Sequence, residues 1–371
     1  GALAARLAPA RPAPAPEAFI GRIAVLIPAH NEEAVLGGTL SALARSRFPT
    51  RAYDVFVVAD NCLDATAMVA RRHGAYVLER RSNGQSTKGQ ALKALWEQVQ
   101  RPEHAAVVVL DADNHVEAGF LGAIAAELGR GYPAVQGLRR AKNEDNGTAG
   151  LDALTELCTH RIGAAGRRAL GLNGPLMGSG VGYAAALFDR YIRDVGDALN
   201  EDCDWQARMA LEGLTIAWTP RAVIFDEKTG SAQALQTQRN RWMAGRAQVA
   251  RAHLRQLLLK GLTGNRNALD MAAFLLSIPR VLMLAGWGSF CLLGLAHAPG
   301  FWPASVWFAC LALFALYVLL GLALDGAPRS AYLGLGRGVL QLPRFAWQMA
   351  HATGKALVGA RVRWIPTPHS H

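Results

Sequence analysis

The chain has 371 residues, 51% of them hydrophobic, and a formal net charge of +11; that length admits one large domain plus additional elements. The five cysteines form no C-x-x-C pair, which excludes a zinc ribbon and a disulfide framework and fits a reducing compartment. The positive charge does not mark a nucleic-acid binder. The arginines cluster beside apolar segments, where anionic headgroups attract them, and a third of the Trp and Phe residues lie inside those segments rather than among the basic residues as base-stacking platforms.

Residues 1–20 are rich in Ala, Pro and Arg, lack a signal-peptide apolar core, and read as a flexible lead-in. The opening Gly in place of Met fits the removal of residues upstream. From residue 21, short β-rich runs alternate with helical patterns. RIAVLIPAH, YDVFVVADN, AYVLER and AAVVVLDAD read as strands; EEAVLGGTLSALARS, DATAMVARRHG and TKGQALKALWEQVQ read as the helices between them. Near-continuous Val/Ile/Leu runs separated by helices predict an α/β domain, its sheet mostly parallel with helices on both faces. Ligands of such sheets bind beyond the carboxyl ends of the strands, where the clusters PAHNE, ADNCLD and DAD stand. No G-x-G-x-x-G follows the first strand and no Walker-type loop occurs.

Two apolar stretches follow. Ala272–Ala296 is broken only by Pro279 and Arg280, and Trp302–Leu324 carries no charge at all. They predict a transmembrane hairpin within 268–326, with a buried core hairpin as the alternative. The basic flanks LRQLLLKGLTGNR and PRSAYLGLGR then lie in the cytoplasm. Residues 327–371, interrupted by Arg337, Pro343 and Arg344, read as an interfacial helix and tail. The expected domains are thus 1–20, 21–260, 268–326 and 327–371.

The polar clusters hold the candidate site. Asp111 and Asp113 in LDAD end a buried-looking strand, where packing alone gives no reason for two carboxylates. Alternate residues of an extended segment project differently, so the two acids suit different tasks. Carboxylate oxygens suit Mg²⁺ or Mn²⁺; capping the next helix is the alternative. Glu32 and Asp60 can accept from a base N–H or ribose hydroxyls, or cap helices. Lys88 in STKGQA either meets a diphosphate or is a solvated helix residue. Glu201 and Asp202 in LNEDCDW open a helix, and either can serve as a general base. In QTQRNRW, Arg241 offers a planar fork for phosphate, Trp242 a flat face for a sugar ring, and Gln238 shares their helical face. The same segment also reads as a basic amphipathic helix on a membrane. Asp64 reads as a cap, Asp204 carries no assigned role, and His30, His115 and His253 are ambiguous.

This ordered set, from IPAHNEE through D-x-D and E-D to Q-x-x-R-W, resembles the inverting glycosyltransferases of family 2, including membrane-bound polysaccharide synthases related to cellulose and chitin synthase. The resemblance covers roughly residues 22–250. It implies a GT-A fold and a metal-dependent hexosyltransferase using a UDP-sugar. It places Pro28, Asn31, Glu32, Asp60, Lys88, Asp111 and Arg241 on the donor. Gly178, Ser179 and Gly180, in a GSGVGYAA stretch read as flexible, join Gln238 and Trp242 on the acceptor. Asp113, with Asp111, holds the metal, and Asp202 is the base, with Glu201 orienting it. The implied setting is exopolysaccharide assembly at the cytoplasmic face of a bacterial inner membrane. The implied acceptor is a glycan or polyprenyl-linked glycan. The implied partners are the bilayer and, beyond it, a homo-oligomer or an export machinery. A processive synthase and a non-enzymatic nucleotide-binding scaffold are the alternatives. The closing segment, with Trp364-Ile365-Pro366-Thr367-Pro368, is similar to the tail of a bacterial branch and departs from it slightly.

Overall fold

The computed structural model describes residues 19, 21–82, 86–142, 156, 158–196, 198–228, 232–297, 302–325 and 343–356. Most of the expected lead-in and the Trp364–Pro368 run lie outside them. Eight strands form one sheet: β1 (Arg22–Ala29), β2 (Tyr53–Asp60), β3 (Tyr76–Arg80), β4 (His104–Val109), β5 (His115–Val116), β6 (Ala134–Ala141), β7 (Val181–Ala184) and β8 (Ile216–Asp226), in the order β3-β2-β1-β4-β7-β6-β8-β5. The first four neighbours are parallel, as their uninterrupted apolar runs predict. β7 runs antiparallel between β4 and β6, and β6 is parallel to β8.

Among the described residues, the α-helices that pack on the sheet or at its rim are α1 (Leu36–Ala44), α2 (Thr66–Arg72), α3 (Lys88–Val99), α4 (Phe120–Leu128), α5 (Ala165–Ala169), which continues a π-helix over Cys158–Ala164, α6 (Ala185–Arg193) and α7 (Glu201–Glu212). Alternation along β1 divides the interior into two cores. Ile23, Val25 and Ile27 join Leu36, Leu40, Phe120 and Ile124 on one face. Ala24 and Leu26 join Leu92, Leu95, Trp96, Phe188 and Trp205 on the other. Pro28 extends β1 opposite Val58 of β2, past Leu26, the last residue of β1 paired with β4. A proline without an N–H is tolerated where the ladder on that side has ended.

A helical layer follows: α8 (Ala232–Leu262), α9 (Arg266–Leu276), α10 (Arg280–Leu295), α11 (Ala304–Asp325) and α12 (343–356). Within α11, Ala304–Ala323 has a mean hydropathy of 2.4 and is only 17% buried. Among the described residues it is the one helix long and apolar enough to cross a membrane by itself. The first leg of the expected hairpin is different. α9 and α10 meet at a 62° bend, so Ala272–Ala296 is not a straight span. Pro279 cannot continue the ladder and disfavours a helical residue before it. The carbonyls freed there are taken by Arg246 of α8, which donates to Phe274, Leu275 and Ser277. Met271, Ala272 and Leu275 are buried with Ala207 and Ala210 of α7 and Val249 and Leu257 of α8. The start of that apolar stretch therefore covers the domain around the sheet, and the multi-pass hairpin reduces to one span plus a bent pair.

Candidate active site

The site assembles where β4 ends. Thr87 and Gln90 form a reciprocal capping box that starts α3 at Lys88. That fixed start places the Lys88 ammonium against the Asp111 carboxylate and 2.6 Å from the Gly178 carbonyl, to both of which it donates. Lys88 is therefore not a solvated helix residue. Burial works against its charge, but the attraction of Asp111, Glu201 and Asp202 outweighs burial and raises its pKa.

The Asp111 N–H donates to Asn114 Oδ1 and Ser179 Oγ, both at 3.0 Å, and the Ser179 hydroxyl donates to the same Asn114 oxygen. Asn114 Nδ2 donates to Asp113 Oδ1 at 3.0 Å, and the Glu227 N–H donates to Asp113 Oδ2 at 3.2 Å. The D-x-D segment is thus tied to the turn before β7 and to the end of β8.

That turn departs from its expected flexibility. Gly178 and Gly180 take φ of +72° and +66°, a region that L side chains resist. Met177 N–H donates to Gln136 Oε1 at 2.9 Å, and Gln136 Nε2 donates to the Ser179 carbonyl at 3.0 Å. Arg139 donates to the Met177 carbonyl at 2.6 Å. Ser179 is fully buried, with its hydroxyl committed to the D-x-D segment, and Gly180 is buried against Ile224. Ser179 and Gly180, expected at the acceptor, thus stand behind the rim in this structure. Gly178 alone of the three faces the site, since a Cβ on it would lie 3.3 Å from Asp202 Oδ2 and 3.8 Å from Lys88 Nζ.

Glu201 and Asp202 open α7, where a helix N-terminus favours acids. Asp202 Oδ1 accepts from the Cys203 N–H at 2.8 Å, which leaves Oδ2 on the Gly178 side. Burial raises Asp202, opposed by the Cys203 N–H and by Lys88, Arg139 and Arg241. Burial likewise pushes Glu201 up to about 7, with Lys88 and Arg241 pulling down and Asp202 pushing up. Both carboxyls therefore hold their protons to higher pH than a free carboxylate, and the Asp202 charge raises Glu201 further. Asp204 points elsewhere and meets His253 Nε2 at 2.8 Å.

α8 brings the Q-x-x-R-W segment to these acids. It approaches α7 so closely that a Cβ on Gly245 would fall 2.5 Å from Asn200 Cγ, and Asn200 Nδ2 donates to the Trp242 carbonyl at 3.1 Å. The Arg241 charge acts on both Glu201 and Asp202, Trp242 is 41% exposed, and Gln238 is half-buried.

The remaining donor candidates line another part of the rim. Asn31, at φ +57°, accepts the Leu63 N–H at 2.7 Å and pins the turn after β1 to the turn after β2. The Glu32 N–H donates to Thr66 Oγ1 at 2.7 Å, and Asp64 caps α2 through Thr66. Asp60 is buried in an ion pair with Arg80 at 2.6 Å, and Arg80 also donates to Ser86. Arg80, Asn114, Gln136 and Arg139 are functional supports that sequence reasoning missed. Arg139 and Lys228 form a buried group with Asp226 and Glu156. Its only sequence signal is a pair of arginines in a strand.

Asp111 and Asp113 offer hard oxygens of the kind Mg²⁺ or Mn²⁺ takes. Among the described residues no three His, Cys, Asp or Glu stand together as a complete ion site. Asp111, paired with Lys88, and Asp113, bonded by Asn114 and the Glu227 N–H, leave two hard-oxygen carboxylates at the rim.

Residues 21–245 match the family model described as "Glycosyltransferase like family 2". The chain belongs to this glycosyltransferase family. Curated relatives include a beta-monoglucosyldiacylglycerol synthase of Nostoc, 27% identical over 263 residues, covering 69% of this chain and 55% of the relative. An uncharacterized glycosyltransferase of Mycobacterium tuberculosis is 36% identical over 118 residues, covering 32% and 49%. The chain spans about half the length of the curated relatives it matches. Among solved structures, a mannosyltransferase from Pyrobaculum calidifontis in complex with GDP-Man and Mn²⁺ aligns with a TM-score of 0.58 at 18% identity, over 97% of this chain and 93% of that one. Staphylococcus aureus TarS 1–349 in complex with UDP-GlcNAc aligns with a TM-score of 0.50 at 14% identity, over 92% and 93%. The family 2 chain therefore has the GT-A fold, a mixed α/β sheet followed by C-terminal helices.

Proposed function

We propose that this chain transfers a sugar from a UDP-sugar, with inversion, to a hydroxyl of a lipid or lipid-linked acceptor at a membrane surface. The observation that carries this reading is buried Lys88, which joins Asp111 of the D-x-D segment to the Gly178 carbonyl beside Asp202. A cation suited to a diphosphate beside a carboxylate with one oxygen turned to the same space supports this reading.

In this reading Lys88 and Arg241 hold the diphosphate, and Trp242 stacks on the sugar of the acceptor side. The acceptor oxygen bonds to the anomeric carbon as the bond from that carbon to the diphosphate oxygen breaks. The hydroxyl proton passes to Asp202, within the pair it forms with Glu201. Attack opposite the leaving group inverts the centre and needs no second nucleophile. Asp113 with Asp111 would hold Mg²⁺ or Mn²⁺, which when bound offsets charge on the departing diphosphate. Asp60 and Glu32 serve the base and ribose.

The names of the Nostoc relative and its counterparts support a lipid acceptor over an exopolysaccharide one. The nucleotide sugars bound by the two fold neighbours support the donor class. The exposed apolar surface of α11 supports a membrane setting, at the cytoplasmic face where nucleotide sugars are made.

The test is a panel of nucleotide sugars crossed with diacylglycerol and polyprenyl-phosphate acceptors, on purified full chain in detergent, with and without Mn²⁺. Acceptor-dependent release of nucleoside diphosphate is expected from one donor class. A protein that binds UDP yet releases none with any pair is a scaffold, and full activity in EDTA removes the metal.

A further inference from the structure

On the face of α8 turned away from Trp242 lies a groove of about 570 Å³. One wall is the row of amide and hydroxyl side chains of α8 between Gln233 and Asn240. The other wall is α12, which contributes Arg344, Trp347, His351 and Lys355. These residues recur at the three- and four-residue spacing of a single helix face. None of the nine lining side chains is acidic.

The stripe belongs to a docked helix. Phe345, Ala352 and Ala356 of α12 are buried, and the Arg239 guanidinium lies 4.4 Å over the Phe345 ring. Gln236 Nε2 donates to the Gln348 carbonyl at 3.1 Å, and Arg251 donates to the Ala356 carbonyl at 2.7 Å. Trp347 beside the cations is 75% exposed. An exposed indole among basic side chains matches the composition of a membrane interface.

We propose that this groove seats the phosphate headgroup of an anionic phospholipid of the bilayer. Arg344 and Lys355 stand about 16 Å apart along α12, one toward each end of the groove, and either cation, with neutral amide donors beside it and no carboxylate, suits a singly charged phosphate diester. The volume admits a headgroup rather than an ion alone. Trp347 adds a surface for the acyl–headgroup boundary that a free anion has no use for. The apolar, largely uncovered α11 on the same chain supplies the bilayer. The site is separate from the acceptor groups, since residues 236 and 240 and residues 238 and 242 fall on opposite sides of α8.

The full chain in non-ionic detergent is titrated with dioctanoyl phosphatidylglycerol, dioctanoyl phosphatidylcholine and inorganic phosphate. Binding is read from the Trp347 fluorescence, taken as the difference between wild type and Trp347→Phe. A saturable change with phosphatidylglycerol alone is expected. Arg344→Gln with Lys355→Gln should weaken it about tenfold, the scale of two interfacial charges after partial screening. Arg255→Gln with Lys260→Gln removes the same charge from exposed positions of α8 outside the groove and should change it by less than about twofold. Should the first pair unfold, the single variants carry the test, each with about a threefold loss. Equal binding of phosphatidylcholine, equally tight saturation by phosphate, no loss in the groove variants or an equal loss in the control pair each overturns the assignment.

Discussion

Replacing Lys88 by Met should move the pH dependence of the reaction and not merely its size. Lys88 is 19% exposed, and Asp111, its bonded partner, is 39% exposed. Stripping the partner from a buried ion pair costs about 3–5 kcal/mol, and the exposure of Asp111 puts this case at or below the low end. Part of that loss falls on Glu201 and Asp202, both of which Lys88 pulls toward the charged form. Each pKa unit corresponds to about 1.4 kcal/mol, so a third of a loss of about 3 kcal/mol raises the pair by roughly 0.7 unit. The sign is fixed by the chemistry. The base works unprotonated, so turnover rises as pH passes upward through the titration of the base, which burial moves above the ordinary carboxylate range. In Lys88→Met that rise should sit higher by roughly half a unit to one unit, with several-fold less activity on the acid limb and most of it regained at more alkaline pH. Lys88→Arg keeps the charge and should keep the limb. The assay is nucleoside diphosphate release over pH 6 to 9.5, at a donor concentration saturating for each variant. A uniformly slower Lys88→Met enzyme with the wild-type limb would refute the coupling between Lys88 and the acidic pair.

Three further outcomes are expected. Asp202→Asn should lower turnover about a hundredfold or more while UDP affinity by titration calorimetry stays nearly unchanged, whereas Arg241→Ala should weaken UDP binding as well; loss of UDP binding in a folded Asp202→Asn variant would move the base to Glu201. Gly178→Ala forces a side chain into φ +72° and places its Cβ 3.3 Å from Asp202 Oδ2, so a strain of about 1–3 kcal/mol should appear as a lower melting temperature together with slower turnover; wild-type values for both would remove the glycine requirement. Arg139→Met leaves Asp226 and Glu156 short of a buried cation and frees the Met177 carbonyl, and a loss of about 3–5 kcal/mol in denaturant unfolding is expected.

The parallel half of the sheet was legible because each of its strands is a compact apolar run followed by a helix, so period and punctuation agree. β7 was not. Its four residues follow a glycine-rich turn, and their pairing with Ala106–Val109 is long-range. Local sequence also reads Gly178 and Gly180 as mobility, when the positive φ angles and the bonds from Gln136 and Arg139 make the turn rigid. The polar clusters could be placed at the rim from strand direction alone, but which of them meet could not. Lys88 finds Gly178 across 90 residues, and Arg139 finds Asp226 across 87. The broken apolar stretch shows a related limit. Pro279 marks the break, yet hydropathy does not say that the residues before it pack on α7 and α8.

Arg246 stands one helical turn after Trp242, about 6 Å farther along α8. It grips the carbonyls where α9 stops and apolar α10 departs. The ring proposed to stack on the acceptor and the pivot of the apolar segment therefore move as one piece, whatever tilt α10 adopts. On the proposed acceptor reading, this spacing acts as a short ruler. A hydroxyl carried close to its hydrophobic anchor reaches Trp242 within one turn of that pivot, while an acceptor on a long soluble stalk gains nothing from the arrangement. Chain-length preference would then be set by the placement of one arginine rather than by the shape of the sugar pocket.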